Sequence, residues 1–221
     1  MTGAARIDQV GVVIPVRNEE LLLPRCLTAL AVAVAAVAES PSIDRPRVTV
    51  VIVLDRCTDA SASVAADWPE CTRIVSSAGA VGAARRAGTA RALATILDSA
   101  ATGAEHVWLA TTDADSAVPP NWLTAQLAFA RNGAGLVLGT VVPDTDLIPA
   151  QRERWLQRHT LVEGHPHVHG ANLGVRADHY LAVGGFASIE TGEDVCLVAA
   201  LRAPAGFADY LQIQTTDALA P

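Results

Sequence analysis

The 221-residue chain contains no lysine: its sixteen positive charges are all arginine, against 23 Asp and Glu, for a formal net charge of −7. That balance excludes a uniformly basic nucleic-acid surface, although a local arginine cluster still suits phosphate. Aromatic residues are scarce (four Trp, two Tyr and three Phe), too few for a module that stacks rings on sugars. Cys26, Cys57, Cys71 and Cys196 form no CxxC pair and no metal-finger spacing, so they read as buried thiols, not disulfides. The longest apolar run, Ala29–Ala38, is ten residues, about half of a membrane span. Met1–Gln9 carries two charges with no long apolar stretch behind it, unlike a leader peptide. No internal repeat or low-complexity linker divides the chain. The expectation is one soluble, cytoplasmic domain with no membrane span and no nucleic-acid partner.

What the chain does have is apolar residues: 51% hydrophobic against 18% charged excludes disorder, although alanine inflates the first figure. Short β-branched runs alternate with longer alanine- and leucine-rich stretches. The pattern predicts strands at Val10–Pro15, Arg47–Leu54, Thr72–Ser76, His106–Thr111, Leu136–Val142 and Phe207–Ile213. It predicts helices at Glu19–Ala38, Ser61–Asp67, Val81–Ala101, Pro119–Arg131, Pro149–Val162, Ala177–Val183 and Glu193–Leu201. Such alternation implies an α/β fold with a largely parallel central sheet and helices on both faces. Ligands of those sheets gather at the carboxyl ends of the strands. The polar residues obey that rule: Arg17, Asn18 and Glu19 follow the first strand, Asp55 and Arg56 the second, Asp113 and Asp115 the fourth.

Five constellations carry possible chemistry, each with a bland counterpart. Asp113-Ala-Asp115 after an apolar strand suits a hard divalent cation and a diphosphate, yet Asp is also common in turns. Asp144-Thr-Asp146, with the same spacing in a proline-flanked loop, is a decoy. Gly79 to Gly88 is a glycine-rich opening to an arginine-bearing helix, fit for phosphate or simply for tight packing. Its spacing matches neither the dinucleotide fingerprint nor the P-loop. Asp55 suits the N–H of a uracil-like base, with Thr58 or Asp59 capping the next helix. His165, His167 and His169 alternate before Gly170-Ala-Asn172, as a metal loop or an ordinary polar one. Glu193-Asp194 opens a helix, as a cap or as the base for a hydroxyl.

Taken in order, these pieces resemble family 2 glycosyltransferases of the GT-A fold, over roughly Val10 to Leu201. Val12 to Glu19 is similar to the family's opening strand and N-E turn, and Val51 to Asp59 to its second-strand signature, usually nearer D-D-G-S-x-D. Gly79 to Gly88 resembles the arginine-containing segment before the metal site. Asp113-Ala-Asp115 matches D-x-D; Gly170-Ala171-Asn172, Gly184-Gly-Phe186 and Glu193-Asp194 resemble the acceptor-side elements and the E-D pair. The resemblance implies a nucleotide-binding half at about 8–118 and an acceptor half at about 119–221.

By that resemblance, Pro15, Arg17, Glu19 and Asp55 line the nucleotide pocket, with Asp55 on the base, and Arg85 faces the nucleotide or its phosphates. Asp115 binds Mn²⁺ or Mg²⁺ directly, Asp113 holds ribose or assists the metal, and His169 is a further candidate ligand. Gly170, Ala171 and Asn172 face the acceptor, Asp194 is the base, and Glu193 helps position the acceptor. The implied reaction is inverting transfer of one sugar from a nucleoside-diphosphate sugar, UDP-sugar preferred, to a small or soluble hydroxyl acceptor.

Three departures stand out. Arg56 occupies the place of the second acidic residue of the D-D pair. The chain ends 27 residues after Asp194, short of the acceptor tail of many relatives, and no Q/R-x-x-R-W motif of processive synthases follows Asp194. A catalytically silent homologue that binds a nucleotide or a partner protein is the competing reading. A sugar-phosphate nucleotidyltransferase would require a glycine-rich loop after the first strand, and Arg17-Asn-Glu-Glu is not one.

Overall fold

A computed structural model describes residues 6–41, 45–99, 102–143, 149–158, 167–203 and 217–219. Its centre is a six-stranded sheet in the order Thr72–Ser76, Arg47–Asp55, Gln9–Val16, Val107–Thr111, Leu173–Arg176, Leu136–Leu138. The parallel part is β1 (Gln9–Val16), β2 (Arg47–Asp55), β3 (Thr72–Ser76) and β4 (Val107–Thr111). Alternate side chains of β1 go to opposite faces, as a strand requires. Val10, Val12 and Ile14 meet Leu23, Leu27 and Leu30 of α1 (Leu23–Glu39) and Leu123 and Leu127 of α4 (Trp122–Arg131). Val13, with Val51 and Val53 of β2, meets Ala84 and Ala92 of α3 (Val81–Ser99). The nearly unbroken Val/Ile/Leu run of β2 is thus covered on both faces, as its composition predicts. A short helix, α2 (Ser61–Ala66), joins β2 to β3.

The glycine face of α3 sets how closely that helix approaches. A Cβ on Gly88 would run into Val13 Cγ1 and Val53 Cγ2, and one on Gly82 into the carbonyl of Ala187. Packing is therefore what these glycines provide. The close approach carries the first turns of α3, with Arg85, to the carboxyl ends of β1 and β4.

Beyond β4 the structure departs from the sequence pattern. The predicted strand Leu136–Val142 is two, β5 (Leu136–Leu138) and β6 (Thr140–Val142). Gly139 breaks it: its N–H donates to Asn172 O at 2.8 Å, and a Cβ there would overlap the Asn172 side chain. After α5 (Pro149–Arg158), an unanticipated strand β7 (Leu173–Arg176) pairs antiparallel with both β4 and β5. Four residues with a glycine and an arginine are too few to announce a strand. Two further helices, α6 (Ala177–Ala182) and α7 (Glu193–Arg202), pack with β7 and β4 around Phe186, Leu197 and Leu201. A short pair, β6 with β8 (Asp217–Leu219), completes the described elements.

Helix starts also shift. α1 begins at Leu23, not Glu19, because Pro24 fits the first turn, and Glu19 O accepts the Leu23 N–H at 2.8 Å. α4 begins at Trp122, so Pro119 and Pro120 precede the helix instead of opening it. The predicted strand Phe207–Ile213 and the ends of the helices predicted to reach Ala101 and Val162 lie outside the described residues. Among the described residues, no helix is long and apolar enough to cross a membrane.

Candidate active site

The carboxyl ends of β1, β2 and β4 open into a cleft of about 920 Å³. Pro15, Arg17, Glu19, Asp55, Arg85, Asp113, Asp115, His169, Gly170, Ala171, Glu193 and Asp194 all line it. Asn172 does not. It is wholly buried behind the wall, where its Oδ1 accepts the Trp122 indole N–H at 2.9 Å and its Nδ2 donates to Thr140 O at 2.9 Å. Its place in the structure is to join α4 to β6.

Two loops frame the first side of the cleft. Thr58 N–H donates to Asn18 Oδ1 at 2.7 Å, Ala60 N–H to Glu20 Oε2 at 2.7 Å, and Glu20 N–H to Asp59 Oδ2 at 2.9 Å. Asp59 also accepts the Ser61 N–H at 3.0 Å in a turn just ahead of α2, but the N-cap position is Ala60, so neither Thr58 nor Asp59 caps that helix with its side chain as expected. Asn18 (φ 59°) and Arg56 (φ 52°) adopt the left-handed backbone that non-glycine residues rarely occupy. Asp55 is buried at the cleft wall and accepts the Gly79 N–H at 3.1 Å.

The carboxylates concentrate negative charge at the next two strand ends. Burial, then the charges of Asp115, Asp59 and Asp113, holds Glu19 above the usual carboxylate range. Burial and Asp113 do the same to Asp115, more than Ser116 and Arg85 offset. Mutual repulsion of this kind among hard oxygen donors fits a divalent cation. Among the described residues, no three His, Cys, Asp or Glu side chains converge as a complete metal site. His169 therefore does not close a triad with Asp113 and Asp115, and a cation there would complete its shell with phosphate oxygens and water. His167 and His169 rings sit 6.1 Å apart; His165 and the decoy Asp144 and Asp146 lie outside the described residues.

Arg85 is 4% exposed and bridges Glu193 and Asp113, one nitrogen to each. Its place is between two carboxylates, at the wall of the cleft. Glu193, 2% exposed, has its carboxylate turned to that arginine. Asp194 is half-buried, and its Oδ2 accepts the Gly170 N–H at 2.8 Å. Gly170 O in turn accepts the Thr111 hydroxyl at 2.6 Å, which ties this corner to the end of β4. The Cys26 thiol donates to Asp113 O at 3.3 Å and fixes the backbone between the two aspartates and α1.

Arg56, Glu190, Thr191, Val141 and Val168 also line the cleft. Arg56 is legible in the sequence as a polar residue at the end of β2 and as a departure from the D-D pair, whereas Glu190 and Thr191 carry no signal beyond standing just ahead of Gly192-Glu193-Asp194. The Gly82 N–H donates to Ile189 O at 3.1 Å, so the loop before α7 occupies part of the α3 N-terminus expected to be open for phosphate.

The architecture has solved relatives. Residues 1–349 of S. aureus TarS, in complex with UDP-GlcNAc, match with a TM-score of 0.62 at 15% identity, over 96% of this chain and 58% of that one. The mannosyltransferase PcManGT from Pyrobaculum calidifontis, in complex with GDP-Man and Mn²⁺, matches with a TM-score of 0.59 at 20% identity, over 99% and 59%. Glucosyl-3-phosphoglycerate synthase from Mycobacterium tuberculosis, in complex with Mn²⁺, UDP and glucosyl-3-phosphoglycerate, matches with a TM-score of 0.59 at 13% identity, over 96% and 71%. At these identities the likeness is one of fold. The chain spans about 60% of the length of the TarS fragment and of PcManGT. No curated protein sequence matches it. The family model "Glycosyl transferase family 2" matches residues 11–179, most of the chain, and with the GT-A architecture around it the protein belongs to that family of glycosyltransferases.

Proposed function

We propose that this glycosyltransferase moves one sugar from a nucleoside-diphosphate sugar, UDP-sugar preferred, to a small or soluble hydroxyl acceptor, with inversion and with Mn²⁺ or Mg²⁺. The observation that carries the reading is one cleft holding Asp113 and Asp115 at the end of β4 and Asp194 at the head of α7. In this reading residues of about 8–118 hold the nucleotide and those of about 119–221 the acceptor. Pro15, Arg17, Glu19 and Asp55 hold the nucleoside. Asp115 and Asp113 would hold the cation, which when bound would supply positive charge to the departing diphosphate. His169, Gly170 and Ala171 stand beside the acceptor. Asp194 takes the hydroxyl proton while the acceptor oxygen forms its bond to the anomeric carbon and the bond to the diphosphate breaks. Gly170 N–H holds the Asp194 carboxylate in one orientation for that step. Four free cysteines fit a reducing, cytoplasmic compartment.

A thermal-shift series tests this. UDP with Mn²⁺ at about 100 times its dissociation constant adds about 2.7 kcal/mol, or roughly 5–10 °C for a chain of this size. Either component alone adds much less, Asp115→Ala abolishes the effect, and Asp144→Ala leaves it. A nucleotide response with no transfer to any hydroxyl would favour a silent binding protein. Equal losses in the two variants would defeat the assignment of the metal site.

A further inference from the structure

We propose that Arg56 selects the donor nucleobase, admitting bases that present a carbonyl beside a ring N–H and turning away those that present an amino group beside a bare ring nitrogen. The inference rests on the transferase reading. In a nucleotide sugar the diphosphate lies between sugar and base. With the sugar at Asp194 and the diphosphate at Asp113 and Asp115, the base extends away from α7. The sheet order β2-β1-β4 then brings it to the end of β2, where Asp55 and Arg56 stand.

Successive side chains of a strand point to opposite faces, so Asp55 and Arg56 would ordinarily not share a pocket. They both line this cleft because Arg56 turns into left-handed backbone, φ 52°. A non-glycine residue held there stores strain of a kind that gathers at functional sites. The guanidinium is anchored as well. Arg56 Nε donates to Ser77 O at 2.8 Å, and the group lies across Gly79, where a Cβ would overlap it. Arg17 reaches the same glycine, its Nη1 donating to Gly79 O at 3.2 Å. Gly79 (φ 70°) is thus the floor on which Arg17, Asp55 and Arg56 converge.

The converging groups have a defined polarity. Asp55 spends Oδ1 on the Gly79 N–H, and its second oxygen has no partner among the described residues. It accepts one hydrogen bond from a ring N–H. The Arg56 guanidinium only donates, so its partner is a carbonyl oxygen. Adjacent acceptor and donor side chains complement the carbonyl and N–H edges of uracil, thymine and guanine. Cytosine and adenine offer an amino group and a bare nitrogen instead, which sets donor against donor and acceptor against acceptor.

The test is calorimetric binding of UDP, dTDP, GDP, CDP and ADP, each with Mn²⁺, to the parent, Arg56→Gln and Arg56→Gly. Glycine tolerates the left-handed backbone, so it removes the side chain without adding strain. In the parent, at least one of UDP, dTDP and GDP binds tenfold or more tighter than CDP and ADP, and the three arms identify which. Loss of one charged hydrogen bond weakens that nucleotide roughly 10- to 100-fold in both variants, while CDP and ADP change by less than about threefold. Uniform weakening of all five, or preferences over CDP and ADP that stay within about threefold of the parent's, would overturn the proposal and leave the transferase reading standing. Failure of all five to bind the parent would overturn both.

Discussion

Arg85 donates to the Glu193 carboxylate 108 residues further along the chain, and both side chains are almost wholly buried. The other arm of the same guanidinium reaches Asp113. One arginine thereby fixes the distance between the first aspartate of the D-x-D pair and the residue next to Asp194.

Glu193→Gln removes one of the two carboxylates that pair with the buried Arg85 and leaves Asp113 as the other, so the cost is that of one charged hydrogen bond, about 1.5–3 kcal/mol. The variant is accordingly expected to lower the melting temperature by roughly 3–12 °C. It should also weaken UDP binding in Mn²⁺, because Asp113 loses half of the clamp that holds its arginine. Differential scanning calorimetry of the two proteins checks the first outcome. An unchanged melting temperature would mean that the bridge is not formed.

The parallel half of the fold was legible because its signals are local. Runs such as Val50 to Leu54 and Val107 to Thr111 are long, apolar and followed by polar residues, so element type and ligand end could both be read. The antiparallel half was not, because β7 is made by pairing. Leu173 to Arg176 become a strand only where β4 and β5 offer edges on both sides. The break at Gly139 likewise depends on Asn172, 33 positions away, filling the space a side chain would need.

The site divides in the same way. Asp55, Asp113, Asp115 and Asp194 follow from their places at strand ends and a helix head, and all four line the cleft. The partners of Arg85 and Asn172 could not be read, since both depend on long-range contacts. Arginine in a glycine-rich helix opening suggests phosphate, and nothing local announces the carboxylate of Glu193 beside it. Asparagine in a family motif suggests a ligand until its indole partner is seen.

Gly82→Ala sets two effects against each other. Inside a helix, alanine is better than glycine by about 1 kcal/mol. Here the added methyl would run into Ala187 O and press on Ile189 O and Glu193 Cβ, mostly backbone atoms that cannot rotate away. Overpacking of that kind costs about 1–3 kcal/mol. Net destabilisation is expected, read as a lower urea midpoint with an unchanged slope. A raised midpoint would show that the loop before α7 gives way freely.

Cys71 makes stability fall in alkali. Burial, with a smaller contribution from Glu70, pushes its thiol from 9.0 up to about 11. The folded state therefore keeps the proton after the unfolded chain has lost it, from pH 9 upward. The contribution is complete below pH 9 and is lost as pH rises toward 11, about 2 kcal/mol of it by pH 10.5. Between pH 8 and 10.5 the stability difference between the parent and Cys71→Ala should narrow by that amount. Urea titrations at the two pH values measure it, and parallel losses would remove Cys71 as the cause.

Asp194→Asn separates chemistry from binding. The asparagine oxygen can still accept the Gly170 N–H that Asp194 Oδ2 accepts at 2.8 Å, so the corner keeps its shape. What is lost is the basic carboxylate, and a general base contributes about 10²- to 10⁴-fold in rate. Transfer should fall by that order, while the Mn²⁺-dependent affinity for the nucleoside diphosphate stays within about threefold of the parent. Glu193→Gln is expected to do the reverse, weakening nucleotide binding and stability together, because its carboxylate faces Arg85. Measured side by side, the two variants tell a base from a positioning residue. If Asp194→Asn transfers sugar at the parental rate, the proton goes elsewhere, and His169 on the same wall of the cleft is the group to substitute next.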